Sequence, residues 1–141
     1  MKLKTTLVAA TLALGMASAA LADEAFKMVG VWKGDATAVF TGKTPHRTPA
    51  KEGPNFANEK LPFEFHITEQ NGQHFSGILK IGKAQETVIG SIDMDNDDGM
   101  MLDDDGQWTF EVRSADRIDL CYHHVAATNK VVGCFPASRT N

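Results

Sequence analysis

Apolar and polar residues alternate along most of the chain beyond Val31, and each alternating run ends in a cluster of turn-forming residues. A period of two marks a strand with one buried face. The first four inward sets are Trp32, Gly34, Ala36, Ala38 and Phe40; Leu61, Phe63, Phe65 and Ile67; Phe75, Gly77, Leu79 and Ile81; and Val88, Gly90, Ile92 and Met94. The next four are Met100 and Leu102; Trp108, Phe110 and Val112; Ile118, Leu120, Tyr122 and His124; and Val131, Gly133 and Phe135. Gln70-Asn71-Gly72, Asp97-Asp98-Gly99 and Asp104-Asp105-Gly106 read as three-residue hairpin loops, each closed by a glycine at positive φ. In the first, this length pairs Ile67 with Phe75, whereas a two-residue Asn71-Gly72 turn pairs Ile67 with Ser76 and mixes the faces. The pattern predicts an all-β fold: an eight-stranded antiparallel up-and-down meander that removes its exposed edges by closing into a barrel. An open sandwich or half-barrel is the alternative, because the fifth strand is only about four residues long.

The leader differs from the rest. Lys2 and Lys4 precede an apolar run from Leu7 to Met16, and Ala20-Leu21-Ala22 follows, the pattern of a secretory signal peptide over residues 1–22. A single barrel domain is expected over 23–141, in a periplasmic or secreted protein. The apolar run is too short for a comfortable membrane span. Without Lys2 and Lys4 the net charge moves from −4 to −6, a poor match to nucleic acid or an anionic membrane. Export also bears on the two cysteines. If Val125 pairs with Lys130 across the loop Ala126-Ala127-Thr128-Asn129, Cys121 faces Cys134 on the outer side, and a disulfide is expected.

Meander connections alternate between two rims. The segments 41–60, 83–86, 104–106 and 126–129 fall at the top, and 70–72, 97–99 and 114–116 at the bottom, where Trp32 is placed as a plug. The longest connection, Thr41 to Lys60, carries Lys43, His46, Arg47 and Lys51 and shows no repeating apolar pattern. Loops of this length are often lids or binding loops. Beneath it lie Trp108, Tyr122 and His124. A ligand mouth is expected there, formed by His124, Tyr122, Trp108, Arg47, His46 and Phe63. It would take a small apolar or amphiphilic molecule, its body among Phe63, Phe65, Phe110 and Leu120 and its anionic or polar head near His124, Tyr122 and Arg47. The competing expectation is an interior filled by its own aromatic rings, the inward glycines and alanines making room for them.

No catalytic residue, metal or cofactor is expected. The inward positions include no carboxylate or lysine to serve as a buried base, so the chain reads as non-enzymatic. Asp93, Asp95 and Asp97 alternate as in part of a calcium loop, but Asp98 stands where that loop requires glycine, which leaves Asp95, Asp97 and Asp98 as at most a weak calcium site. His66 and His74, expected as diagonal neighbours on one hairpin, offer two zinc ligands and no third.

Gly30-Val31-Trp32 at the first strand, followed by a meander and a long first connection, resembles the calycin group of lipocalins, avidins and bacterial barrel-shaped inhibitors. The resemblance implies a fold. It transfers no site residue: no segment matches the C-terminal helix of lipocalins, and Gly34, Ala36 and Ala38 stand where avidins present polar groups to biotin. Two functions fit such a barrel. One is binding of a small molecule at the mouth; the other is inhibition of a protease or cell-wall hydrolase, a protein partner, through the N-terminal segment Asp23 to Met28 or a rim loop.

Overall fold

The computed structural model describes residues 24–140, so the expected leader lies outside the described residues. Eight strands run in order: β1 (Gly30–Thr41), β2 (Asn55–Asn71), β3 (His74–Ile81), β4 (Ala84–Ile92), β5 (Asp98–Leu102), β6 (Gln107–Ser114), β7 (Arg117–Val125) and β8 (Lys130–Thr140). Each pairs antiparallel with the next, and β8 returns to β1, from Val31 opposite Thr140 to Thr41 opposite Lys130. The sheet is therefore a closed barrel in meander order. Charged residues such as Lys33, Asp35, Glu64 and Lys80 face outward, while Phe63, Phe65, Leu79, Trp108, Phe110 and Leu120 form the core.

The interior is largely filled by aromatic rings, and the inward glycines make room for them. A Cβ at Gly34 would lie 2.6 Å from the Phe63 ring, at Gly90 2.3 Å from Phe75, and at Gly99 2.4 Å from Phe110. Phe65 meets Trp108 edge to face at 5.1 Å, and Phe63 packs on Phe135 at 5.2 Å. Such contacts contribute beyond the area they bury. Gly77 and Gly133 serve differently. Gly77 lies opposite the bulge in β2, against the backbone of His66, and Gly133 lies against the backbone of Thr37, where no side chain fits.

Several local expectations need correction; the loop between β5 and β6, for one, spans 103–106, and Gly106 does not have positive φ. The first hairpin is a tight Gly72-Gln73 turn, and the extra residue sits within β2 as a bulge between Ile67 and Glu69. Phe75 then pairs with Gln70, and Ile67 with Gly77, yet both apolar residues stay inside. The same bulge sets His66 opposite Ile78, so His66 and His74 are not the expected diagonal pair, and His66 binds Glu64 instead at 2.7 Å. Between β4 and β5 the loop is 93–97, not Asp97 to Gly99; Asn96 supplies the positive φ, and Gly99 lies within β5. This moves β5 by one residue. Met101 is fully buried, while Met100 and Leu102, expected inside, are exposed, as is Met94 beyond the end of β4. Finally, β2 begins at Asn55, so the long connection spans only 42–54.

At the bottom, Trp32 is the plug. Its indole donates to Met28 O at 2.8 Å, and the Arg139 guanidinium stacks 4.2 Å over its ring. Residues 24–29 close the same end: Met28 is buried, Phe26 packs on Trp32, and Gln70 holds Met28 N and Phe26 O through its side-chain amide. Cys121 faces Cys134 in the expected register and forms a disulfide, compatible with an oxidising compartment.

Candidate functional site

Above the aromatic fill, the top of the barrel retains a cavity of about 60 Å³. Trp108, Leu61, Leu79 and Phe135 form its floor and sides, Tyr122 and His124 its β7 wall, and His46 and Arg47 approach from the 42–54 loop. Five of the six residues expected at the mouth thus converge on one space. The sixth, Phe63, lies below it, buried against Trp108 and Phe135. Phe65, Phe110 and Leu120, expected to surround a ligand body, pack into the filled core. That leaves no room for a bulky body. A cavity of this size holds a few waters or a short chain, being smaller than the roughly 150 Å³ that encloses benzene.

Many of the polar groups at the mouth already have partners. Arg47 Nη2 donates to Ala36 O at 3.1 Å and Glu59 O at 3.2 Å, fastening the loop to β1 and the start of β2. Thr44 and Arg47 bond to each other through backbone and hydroxyl, closing the turn between them. His124 has both ring nitrogens engaged, one by Asp105 O and the other by Asn129 Oδ1 at 2.6 Å, while Asn129 Nδ2 donates to Lys43 O. Gly42 completes this latch: at φ 69° it lies so close to Thr128 O that a Cβ would clash. His124 and Arg47 are thus fixtures of the loop, more than free heads aimed into the space.

The acidic side of the cavity departs most from expectation. β4 begins at Ala84 after a Gly82-Lys83 turn, so Glu86 is not in a rim loop but in a strand, opposite the buried Leu79. It lines the cavity, with its side chain 12 % exposed. Oxygen atoms of Glu86, Asp103 and Asp105 come within 4.8 Å of one another. Asp103 accepts from Trp108 Nε1 at 2.7 Å and from the amides of Gly106 and Asp105; Asp105 Oδ1 accepts from Tyr122 at 2.9 Å. Among the described residues, the basic group paired with Glu86 is His46, with Nε2 at 3.4 Å. Parity contained the signal for Glu86, because it shares the phase of Val88, Gly90 and Ile92. The expectation of an interior without carboxylates is corrected accordingly.

Burial, and then the charges of Asp103, Asp105 and Asp104, push Glu86 up to about 7. Burial, reinforced by the bond to Asp105, raises Tyr122 and keeps its phenol a donor. For Glu86 the consequence for stability has a definite sign. Between about 4.5 and 7 the folded chain holds a proton that the unfolded chain has released, so this group's contribution to stability falls as pH rises through that window. Glu86→Gln, which mimics the protonated form, should match the parent at pH 4 and exceed its stability at pH 8 in urea unfolding. Equal stability at pH 8 would mean that Glu86 is not destabilised in the fold.

At the bottom rim, oxygens of Asp93, Asp97 and Asp98 also approach one another, all on exposed residues, and the bond from Asp95 N to Asp93 Oδ1 organises the loop. Asp95 is not part of that cluster, although Asp97 and Asp98 are. Comparison with known protein families, curated proteins and solved structures found nothing that matches this chain.

Proposed function

We propose that the chain is an exported, non-enzymatic barrel that binds a small apolar or amphiphilic molecule at its mouth, beneath the 42–54 loop. The observation carrying this reading is the largely apolar cavity at the top of an otherwise filled barrel, reached by Trp108, Tyr122, His124, His46 and Arg47. Its volume suits a short aliphatic chain. The closed meander and the Gly30-Val31-Trp32 start support a calycin-like relationship at the level of fold. Export is supported by the leader pattern at 1–22 and by the disulfide. Against the inhibitor alternative stands the N-terminal segment, whose described part is packed into the barrel bottom instead of projecting as a tail.

Native mass spectrometry of the protein purified from its own host's envelope tests the reading. A small-molecule adduct is expected, and Ala38→Leu, which fills the cavity wall, should remove it from a correctly folded protein. A parent of bare mass, or an adduct unaffected by Ala38→Leu, would overturn the proposal.

A further inference from the structure

The mouth combines an apolar, aromatic cavity with three carboxylates, two of which have a histidine beside them, His46 at 3.4 Å from Glu86 and His124 at 4.0 Å from Asp105. Glu86 reaches it from β4, and Asp103 and Asp105 from the loop between β5 and β6. Of the formal cations in the overlying loop, Arg47 reaches the cavity lining, and its guanidinium is bound to the carbonyls of Ala36 and Glu59. His46, on that same loop, is the one basic group paired with Glu86 among the described residues, and His124 on β7 is held by Asp105 O and Asn129. Beside the carboxylates, Trp108 and Tyr122 pack at a tilt of 47° with their centroids 4.6 Å apart, and both line the cavity, where aromatic rings attract a cation.

We propose that the ligand's head is a protonated primary amine, seated between Glu86 and Asp105 against the Trp108–Tyr122 pair, with its short alkyl chain in the cavity. This rests on the binding reading above and names its ligand class. An anionic head, expected from the basic loop sequence, would face three carboxylates at close range. Unlike-charge attraction is strengthened here because the Glu86 side chain is mostly removed from water. An ammonium brings three donors and no acceptor. Acceptors with capacity left are Glu86 Oε2, since His46 approaches Oε1, and the Asp105 oxygen not used by Tyr122, whereas Asp103 is committed to Trp108 and two backbone amides. A divalent cation is a poorer match. Calcium takes six to eight oxygens, and these carboxylates already spend part of their capacity within the protein.

Bound ammonium also supplies the positive charge that Glu86 lacks. At about pH 6, where burial and the neighbouring aspartates keep Glu86 largely protonated, amine binding should release a proton. At pH 8 it should release almost none.

The test uses the full chain without its leader and three matched probes, n-butylamine, 1-butanol and butyrate, titrated at pH 8 with backbone amide resonances as the readout. Butylamine is expected to bind at least tenfold more tightly than butanol, and butyrate more weakly than either. Glu86→Gln should bring the amine-to-alcohol ratio close to one, and Asp105→Asn should lower it in the same direction. Calorimetry in two buffers of different ionisation enthalpy should detect the released proton at pH 6. Butanol binding as tightly as butylamine would overturn the inference and leave the binding reading standing. A ratio unchanged in both variants, or calcium alone perturbing the Glu86 and Asp105 resonances while the amine does not, would also overturn it. If none of the three probes shifts a cavity resonance, the binding reading fails too.

Discussion

Replacing Trp32 with alanine should lower stability by about 3–5 kcal/mol, the range for deleting a large buried aromatic side chain. Few positions in the chain combine as many roles. The ring is fully buried, Phe26 packs on it at 6.1 Å, Arg139 covers it at 4.2 Å, and its indole nitrogen ties down Met28 O. Through Arg139 the effect extends further, because that guanidinium also bonds the carbonyls of Val29, Lys27 and Ala115. Removing the indole therefore opens a void and loosens the N-terminal segment against β8 and the 115–116 turn. Trp32→Phe separates the contributions: it retains much of the packing and loses the bond to Met28, worth about 1 kcal/mol. Urea unfolding of both variants checks the ranking. A loss below about 1 kcal/mol in the alanine variant would show that the barrel bottom does not depend on its plug.

The fold was legible because parity is a strict signal. A strand with one buried face cannot slip by one residue without exposing its whole apolar set, so Phe63, Phe65, Leu79, Phe110 and Leu120 all lie inside as expected. Parity failed where the strand was too short to vote. β5 offers only Met100, Met101 and Leu102 as apolar residues, and any two alternate ones look plausible; its phase is set instead by Phe110, whose ring needs the space above Gly99. Bulges were invisible for a related reason. The pattern shows that Ile67 and Phe75 share a face, which is equally true of a three-residue loop and of a tight turn with a bulge in β2.

The cavity was legible in place, and its acidic side was not. Loop length and topology brought His46, Arg47, Trp108, Tyr122 and His124 together, but side-chain direction at a rim depends on local bonds that no period encodes. Arg47 turns to two carbonyls and His124 to a loop latch, so the basic residues that suggested an anionic ligand are occupied. Glu86 escapes the sequence pattern because a loop over 83–86 covers it, whereas the turn is only Gly82-Lys83 and β4 starts at Ala84, three residues sooner than that loop allows. Small boundary errors matter most at rims, where one residue decides whether a charge faces water or a cavity.

The disulfide should contribute about 3 kcal/mol, because Cys121 and Cys134 are 13 residues apart and closing a loop of that size removes a corresponding amount of unfolded-chain entropy. The double substitution Cys121→Ser with Cys134→Ser should lower the melting temperature by about 10 °C for a domain of this size. Its structural cost is small: the cysteines face outward at paired positions of β7 and β8, flanked by pairs such as Leu120 with Phe135 and Tyr122 with Gly133 that hold register without the bridge. The loss should therefore come from the unfolded state, leaving the barrel and its cavity intact. Treating the parent with reductant should reproduce the effect without any substitution. The location of the bridge also matters for the mouth, since the same hairpin carries Tyr122 and His124 and ends in the loop that holds Lys43. If the hairpin is already rigid when reduced, amine binding at 25 °C will be the same with and without the bridge, and only the melting temperature will move. An unchanged melting temperature in both the variant and the reduced parent would show that the bridge adds no stability to a hairpin ordered by other contacts.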